Sequence, residues 1–427
     1  MRCRIGATGF ETGLSVPPPA GGSGRHGGSG NDMSAPATDL PRDRQTPRHG
    51  ASLRCLFAVH DWGLGHATRD LPLIRALADA GHAVTVLSTG RAMTLLQQEL
   101  GGRCEYLDYP DMPKPLGRTA AGFYVRMSLS MPRVLWLFRR ERGLTRRLVR
   151  ERRLDRVISD SRFGVVSTEV PSYYIFHSLR QIMPRPLRPF DRLVEHNQRR
   201  MLSDARLVLV PDQEEDGIAG RLCHDLAFDW SGRAAYLGIL SSVRAEPVEQ
   251  DVDVFISVSG AEPQRSYFEQ VVLEQVPRLR GRRVEVALGR PDLPYRRWQH
   301  GGATVHTYLD RAGQQRMLNR ARLVVTRSGY TTMMELAELG RRALLVPTVG
   351  QSEQEYLADY HHRRGHAHAV RQSELDLERD VPRAERTPGL PRAHPTAESV
   401  RRFLELVGAG AGADEVAPQP EQDRKAE

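Results

Sequence analysis

An α/β protein with two doubly wound parallel sheets is the fold class the sequence predicts, and three observations predict it. Short β-rich apolar runs alternate with amphipathic helical stretches along most of the 427 residues, as parallel sheets covered by helices on both faces require. The alternation comes in two series, joined by a proline- and acid-bearing segment near Glu246–Gln250. Each series opens on an apolar strand that runs into a glycine turn, "CLFAVHDWGLGH" and "FISVSGAEPQR".

Taken in order, residues 1–50 are rich in Gly, Pro, Ser and Arg without periodicity, and such a composition buries too little apolar surface to fold. They are expected to form a disordered extension, with Met33 as an alternative start. A first domain is expected over 51–245, with strands at Leu53–Val59, Ala83–Ser88, Arg156–Ser159, Tyr174–Phe176 and Leu207–Val210. A second is expected over 251–408, with strands at Val252–Ser257, Val284–Leu288, Thr304–His306, Leu323–Thr326 and Ala343–Pro347. Residues 409–427 read as a disordered tail. In doubly wound sheets ligands bind beyond the carboxyl ends of the strands, so two such domains place a ligand in the cleft between them.

Composition narrows the function classes. A hydrophobic fraction of 40% with 26% charged residues is that of a soluble globular chain, and no apolar run approaches the ~20 residues a bilayer span needs. No signal-peptide stretch is seen, so a cytoplasmic location is expected. The four cysteines are scattered, which argues against a disulfide framework or a zinc site. The net charge of +9 is almost all arginine, since Lys114 and Lys425 are the only lysines. Without a helix-turn-helix, RNP or zinc-finger pattern it does not point to nucleic acid, and anionic substrates or an anionic membrane suit it as well.

The segment Phe123–Arg153 differs in character. Apolar residues from Met127 to Phe138 are followed by "RRERGLTRRLVRERR". It reads either as a patch in peripheral contact with the inner face of a membrane carrying a lipid-linked acceptor, or as a helix pair with its apolar face in the core.

The chemistry is concentrated in two places. "RLVVTRSGYTTMMELAELGRRALLVPTVGQSEQEYLA" reads as strand, Ser328-Gly329 turn, helix from about Thr331 to Leu339, Gly340 as cap, and strand again. Gly329 lets the backbone approach a ligand, and the helix N-terminus behind it offers N–H groups to a diphosphate. Glu335 lies one turn in, where a carboxylate can accept both hydroxyls of a ribose. Gln354 and Glu355 are expected on a loop facing the same cleft, with groups suited to sugar hydroxyls. In the second place, "HDWGLGHATRD", Gly63 and Gly65 permit unusual backbone angles that let an acceptor hydroxyl reach His66. The helix is expected to start between Thr68 and Asp70, because Pro72 is tolerated in a first turn.

These stretches resemble GT-B glycosyltransferases, most of all the MurG-like family 28 type and its UDP-glycosyltransferase relatives. The likeness is strongest over His60–Gly90 and Arg322–Ala358. It implies two Rossmann-like domains facing a central cleft. The family's diphosphate- and ribose-binding pattern falls on Ser328, Gly329 and Glu335, and its donor-sugar pair on Gln354 and Glu355, where relatives usually carry Gln at the second position. Ser259 and Gly260 resemble its first phosphate loop, with Arg265 adding charge, and Leu309 falls where the nucleobase is read. G-L-G-H-A-T-R matches the family's N-terminal glycine loop and histidine. In plant-type relatives an aspartate after a strand orients that histidine, which here implies Asp160 in "RVISDSRFG".

The resemblance thus implies inverting transfer of a hexose or N-acetylhexosamine from a nucleotide-diphosphate sugar, most simply a UDP-sugar, to an acceptor hydroxyl. His66 would be the base. No cofactor is implied, and no metal, since nothing resembles the D-x-D carboxylates of metal-dependent transferases. A nucleotide-sugar 2-epimerase or hydrolase on the same fold, or a non-catalytic nucleotide-sugar-binding subunit, are the alternatives.

Overall fold

A computed structural model of the chain describes residues 52–112, 120–183 and 189–410. The extension 1–50, the tail beyond Gly410 and the side chains of Phe123 and Met127 lie outside the described part.

Seven strands form the first sheet: β1 Arg54–Val59, β2 Ala83–Ser88, β3 Glu105–Asp108, β4 Arg156–Asp160, β5 Ser172–Ile175, β6 Leu207–Val210 and β7 Ala234–Tyr236. Their order is β3-β2-β1-β4-β5-β6-β7 and every pairing is parallel. The second sheet holds β8 Val252–Ser257, β9 Val284–Ala287, β10 Arg297–His300, β11 Ala303–His306, β12 Ala321–Thr326, β13 Arg342–Leu345 and β14 His368–Ala369. Its order is β10-β11-β9-β8-β12-β13-β14, with β10 antiparallel to β11 and the rest parallel. The helices are α1 Leu64–Asp79, α2 Gly90–Leu100, α3 Ala120–Glu151, α4 Asp191–Met201, α5 Gln264–Gln275, α6 Arg311–Arg320, α7 Tyr330–Leu339, α8 Ser352–Arg363, α9 Leu377–Glu385 and α10 Thr396–Leu406. The central strands are apolar along their length because helices cover both faces: five of the six residues of β1 are buried.

Every strand expected from the sequence is present, with ends moved by a residue or two. The four that were not expected are β3, β7, β10 and β14, which are the two edge strands of each sheet. An edge strand is covered on fewer sides and needs no continuous apolar run, so "EYLD" and "RWQH" give no strong signal.

In each sheet the direction of winding reverses once, between β1 and β4 in the first and between β8 and β12 in the second. A crevice opens at such a point, where neighbouring loops diverge to opposite faces. His66 follows β1 and Asp160 ends β4, while Ser259–Gly260 follow β8 and Ser328–Gly329 follow β12.

The two sheets share an apolar core. One cluster of buried side chains includes Phe57 and Ile74 beside the first sheet together with Tyr330, Met333 and Phe403. The last helix, α10, departs from the expected division at 251–408. It returns to the first sheet, where Phe403 meets Phe57 with ring centroids 6.4 Å apart and Arg156 Nε donates to Val407 O at 2.8 Å. The chain continues past it, with Ala409 buried and its carbonyl accepting from His82 Nε2 at 3.1 Å.

Helix α1 also departs from expectation. It starts at Leu64, capped by Gly63, and carries Pro72 in its interior. Pro72 leaves the Thr68 carbonyl without its helical N–H, a loss the flanking packing of Leu71, Leu73 and Ile74 in the core outweighs. His66 therefore lies in the first turn of a helix rather than on a loop. Neither glycine supplies unusual angles: Gly63 is extended at φ −173° and Gly65 is helical. What Gly65 supplies is room. A Cβ there would stand 2.7 Å from Thr331 Oγ1, so the absence of a side chain lets α1 and α7 meet N-terminus to N-terminus.

Gly65→Ala should therefore destabilise the chain by about 1–3 kcal/mol through overpacking. Adding Thr331→Ala should recover most of that loss in denaturant unfolding. Equal instability of the single and double variants would show that the glycine serves something other than this approach.

Candidate active site

At the carboxyl end of the first sheet, β1 and β4 lie side by side with Val59 opposite Asp160. This register brings His66, two residues into α1, against Asp160, 94 residues later, with His66 Nδ1 3.0 Å from Asp160 Oδ2. Arg69, one turn further along α1, is fully buried and grips the same carboxylate with two N–H groups, Nε donating to Oδ2 at 2.8 Å and Nη2 to Oδ1. Ser161 Oγ adds a donor at 2.8 Å. Burial pushes the Asp160 pKa up, but the Arg69 charge and then His66 outweigh it and hold the carboxyl well below the usual range. Its neighbour Asp70 is also buried; burial first, and the Asp160 charge second, push its pKa well above that range.

The imidazole of His66 is mostly enclosed, with a side-chain exposure of 20%. Burial lowers its pKa to about 4, against the pull of Asp160 and with help from Arg69. Nδ1 faces the Asp160 acceptor and, at 2.9 Å, the Arg69 Nη2 donor. Nδ1 either donates to the first or accepts from the second, and only the first leaves Nε2 with a lone pair for base chemistry. His60 packs edge-on to His66 at 5.2 Å and is itself paired with Asp111 at 2.7 Å.

Arg69 reaches one group more. Its Nη1 lies 3.0 Å from Nδ1 of His177, which follows β5, and His177 Nε2 lies 3.3 Å from Glu353 Oε2 on α8. His177 also stacks on Tyr330 of α7, with ring planes 5° apart, and Tyr330 donates to Pro211 O at 2.7 Å. A continuous hydrogen-bonded path therefore runs from His66 on the first sheet to a carboxylate on the second.

On the second sheet the loops after β8, β12 and β13 converge. Ser328 is buried, its hydroxyl donating to Gln354 O at 2.7 Å, and Gly329 caps α7. A Cβ on Gly329 would meet Gln354 Nε2 at 3.8 Å, and one on Gly260, at φ +119°, would meet Thr348 Oγ1 at 4.0 Å. Gln354 Oε1 accepts from Thr348 N at 2.9 Å. Ser259, Gly260, Ser328, Gly329 and Gln354 thus come together around the first turns of α7 and α8.

Other expected residues are placed differently. Gln354 and Glu355 sit in the first turn of α8, not on a loop, and one step of the helix turns them apart. Glu355 is exposed and accepts from Gly350 N at 2.9 Å, whereas Glu353 points at His177 in the cleft. Arg265 is committed elsewhere: its guanidinium is buried against Glu262, Glu269 and Leu288 O, leaving no free charge for a phosphate. Among the described residues, Arg327, just before Ser328, is a cation beneath these loops with no carboxylate partner. Its guanidinium lies on Phe268 at 4.1 Å and donates to the carbonyls of Val346, Pro347 and Gln264 and to Gln372 Oε1. Without a carboxylate partner, burial lowers its pKa to about 10. Glu335 accepts from Ser242 Oγ at 2.8 Å, and burial raises its pKa. Leu309, half-buried between β11 and α6, packs against the shared core.

Sequence reasoning missed Arg69, His177, Arg327 and Glu353. The signal for the first was the pair Arg69-Asp70 inside an otherwise apolar helix face; His177 carried none.

Residues 256–388 match the family model for the glycosyltransferase family 28 C-terminal domain. No curated protein matches the chain. Among solved structures, the glycosyltransferase of kitacinnamycin is similar with a TM-score of 0.56 at 16% identity, over 86% of this chain and 97% of that one. The spinosyn rhamnosyltransferase complexed with thymidine diphosphate gives 0.51 at 14%, over 84% and 96%. A putative UDP-N-acetylglucosamine 2-epimerase from Listeria monocytogenes gives 0.50 at 14%, over 86% and 100%. The fold is GT-B, two Rossmann-like sheets, as in these proteins. The fold alone does not separate transfer from epimerisation.

Arg69 is the group on which the first half of the site turns. Arg69→Met would leave Asp160 buried with no cation, at a cost of about 3–5 kcal/mol in denaturant unfolding. Arg69→Lys should recover little, because one ammonium cannot reach Asp160 and His177 at once. A loss below about 1 kcal/mol in Arg69→Met would show the carboxylate to be solvated.

Proposed function

We propose, with residues 256–388 taken as the glycosyltransferase family 28 domain they match, that the chain transfers a sugar from a nucleotide diphosphate to an acceptor hydroxyl. The observation that carries this reading is the opposition of the His66–Asp160 pair on one sheet to the converging loops and helix N-termini of α7 and α8 on the other. UDP and TDP are the donor nucleotides to consider first, since solved structures of the same fold include complexes with each.

In the proposed reaction the acceptor hydroxyl gives its proton to His66 Nε2 while its oxygen bonds to the anomeric carbon. The bond from that carbon to the diphosphate oxygen breaks, and the electron pair leaves with the diphosphate. Attack from the side of His66, opposite the leaving group, inverts the anomeric centre. The acidified imidazole is stabilised by Asp160. The charge growing on the leaving diphosphate is met by the N–H groups at the start of α7 and by the positive field of Arg327 beneath them. Glu335 takes the ribose hydroxyls, and Gln354 with Glu353, in place of Glu355, the sugar.

The acceptor side carries one further feature. Helix α3 buries Val134, Leu137 and Leu148, yet exposes Leu129, Leu135 and Trp136, with Arg140 over the Trp136 ring at 4.7 Å. Among the described residues no helix is long and apolar enough to cross a membrane. The helix therefore combines a core face with an outer apolar face set among arginines, which suits contact with an anionic lipid surface bearing the acceptor.

Three outcomes follow from this reading. His66→Ala should lose about 10²–10⁴ in turnover while keeping nucleotide affinity; near-native turnover would make His66 structural. Because its pKa is lowered to about 4, His66 stays unprotonated as pH falls through 6.5, so the acid limb of kcat/KM should lie near pH 4. A limb near 6.5 would show the imidazole to be solvated. Trp136→Ser with Leu135→Ser should reduce sedimentation with phosphatidylglycerol vesicles at low salt, and salt should reduce it in the parent. No sedimentation of the parent at low salt would remove the membrane from the account.

A further inference from the structure

Outside the groups the reaction uses directly, His177 is a titratable side chain with both ring nitrogens partnered. Arginine has only donors, so the Arg69 Nη1 contact at 3.0 Å makes His177 Nδ1 an acceptor. In the neutral ring the proton then sits on Nε2, and Nε2 faces the Glu353 carboxylate at 3.3 Å. The ring itself is fixed by stacking on Tyr330 at 4.6 Å and by the Cys223 thiol on the His177 carbonyl. Glu353 is thus held by one oxygen, Oε2. Its side chain remains 31% exposed in the cleft, in the first turn of α8 beside Gln354. Burial acts to raise its pKa, but His177 and Arg69 bring it below the usual value, so the group is a carboxylate at neutral pH.

We propose that His177 is the positioning residue for donor-sugar recognition. It draws Oε2 of Glu353 toward the first sheet and so presents Oε1 to the hydroxyls of the transferred sugar. Because the same ring is anchored by Arg69, the sugar-reading carboxylate on the second sheet is referenced to the His66–Asp160 pair on the first. The anomeric carbon and the base are then held by one rigid path rather than by two separate walls. This rests on the reading of the cleft as a nucleotide-sugar site and adds to it a residue that touches neither nucleotide nor acceptor.

The test compares calorimetric binding of UDP, TDP, UDP-glucose, UDP-N-acetylglucosamine and TDP-glucose to the full chain and its variants. In the parent, a sugar nucleotide should bind more tightly than its bare diphosphate. His177→Phe keeps an aromatic ring on Tyr330 but neither hydrogen bond. It should leave diphosphate affinity unchanged and weaken the sugar nucleotide by about tenfold, the scale of one hydrogen bond to a charged group. His177→Gln can accept from Arg69 through its carbonyl and donate to Glu353 through its amide, and should restore the difference. Glu353→Gln should lose the difference as well, and combining it with His177→Phe should add nothing further; this variant also carries the test if His177→Phe does not fold. Equal weakening of diphosphate and sugar nucleotide in His177→Phe, or no weakening of either, would overturn the proposal. A parent that binds both kinds of ligand equally would overturn it while leaving the nucleotide site standing. A parent that binds none of the five would overturn the functional reading together with it.

Discussion

The guanidinium of Arg69 is the constraint the rest of the site depends on. It is buried and always charged, so the fold must supply it with partners, and the partners it has are Asp160, His66 and His177. Each comes from a different element: α1 itself, the end of β4, and the turn after β5. The parallel register that puts Val59 opposite Asp160 is what brings the first two within reach. Removing water from this cluster has two effects on the chemistry. It keeps His66 unprotonated across the physiological range, and it strengthens the field of Asp160 when a proton arrives. A solvated histidine would be a stronger base in the free protein but would be poorly oriented.

On the proposed reading the second sheet meets a different demand, that of holding an anion without a compact array of cations at the surface. Its loops are short and glycine-bearing, and the nearest guanidinium, Arg327, is enclosed by carbonyls and an aromatic face. A cation without a carboxylate partner keeps its field, and backbone N–H groups at the start of α7 are left to make the direct contacts in the proposed complex. The two halves then meet at close quarters, through the missing side chain of Gly65, the Tyr330 hydroxyl on Pro211 and the His177–Glu353 bond.

Much of the fold was legible in the sequence, because central strands of a parallel sheet must be apolar on both faces and so announce themselves. The edge strands β3, β7, β10 and β14 carry no such obligation and were silent. Residues around glycine turns after strands were legible for the same reason: Ser259, Gly260, Ser328, Gly329, Gln354, His66 and Asp160 all reach the two crevices. What could not be read was which way a side chain turns once an element is helical. Two residues of register on α8 separate the cleft-facing Glu353 from the solvent-facing Glu355. Arg265 was taken by Glu262, just before its helix, and by Glu269, one turn further along it. Pro72 misled because a buried helix tolerates a lost hydrogen bond when both flanks are packed in the core. Partners distant in sequence, such as His177 for Arg69, are set by the order of the strands and not by any local pattern.

The central claim is that a nucleotide diphosphate lies on the loops after β8, β12 and β13 with its sugar between His66 and Glu353. The measurement that tests it most directly is a crystal structure of the full chain with a slowly reacting donor such as UDP-2-deoxy-2-fluoroglucose. The account predicts the diphosphate against the backbone N–H groups of Gly329 and Tyr330, and the anomeric carbon on the side of His66. An open cavity also lies between segments 213–215 and 236–238 and the α10 residues Glu398 to Glu405. A donor bound there, or one in the cleft with its sugar turned away from His66, would contradict the account.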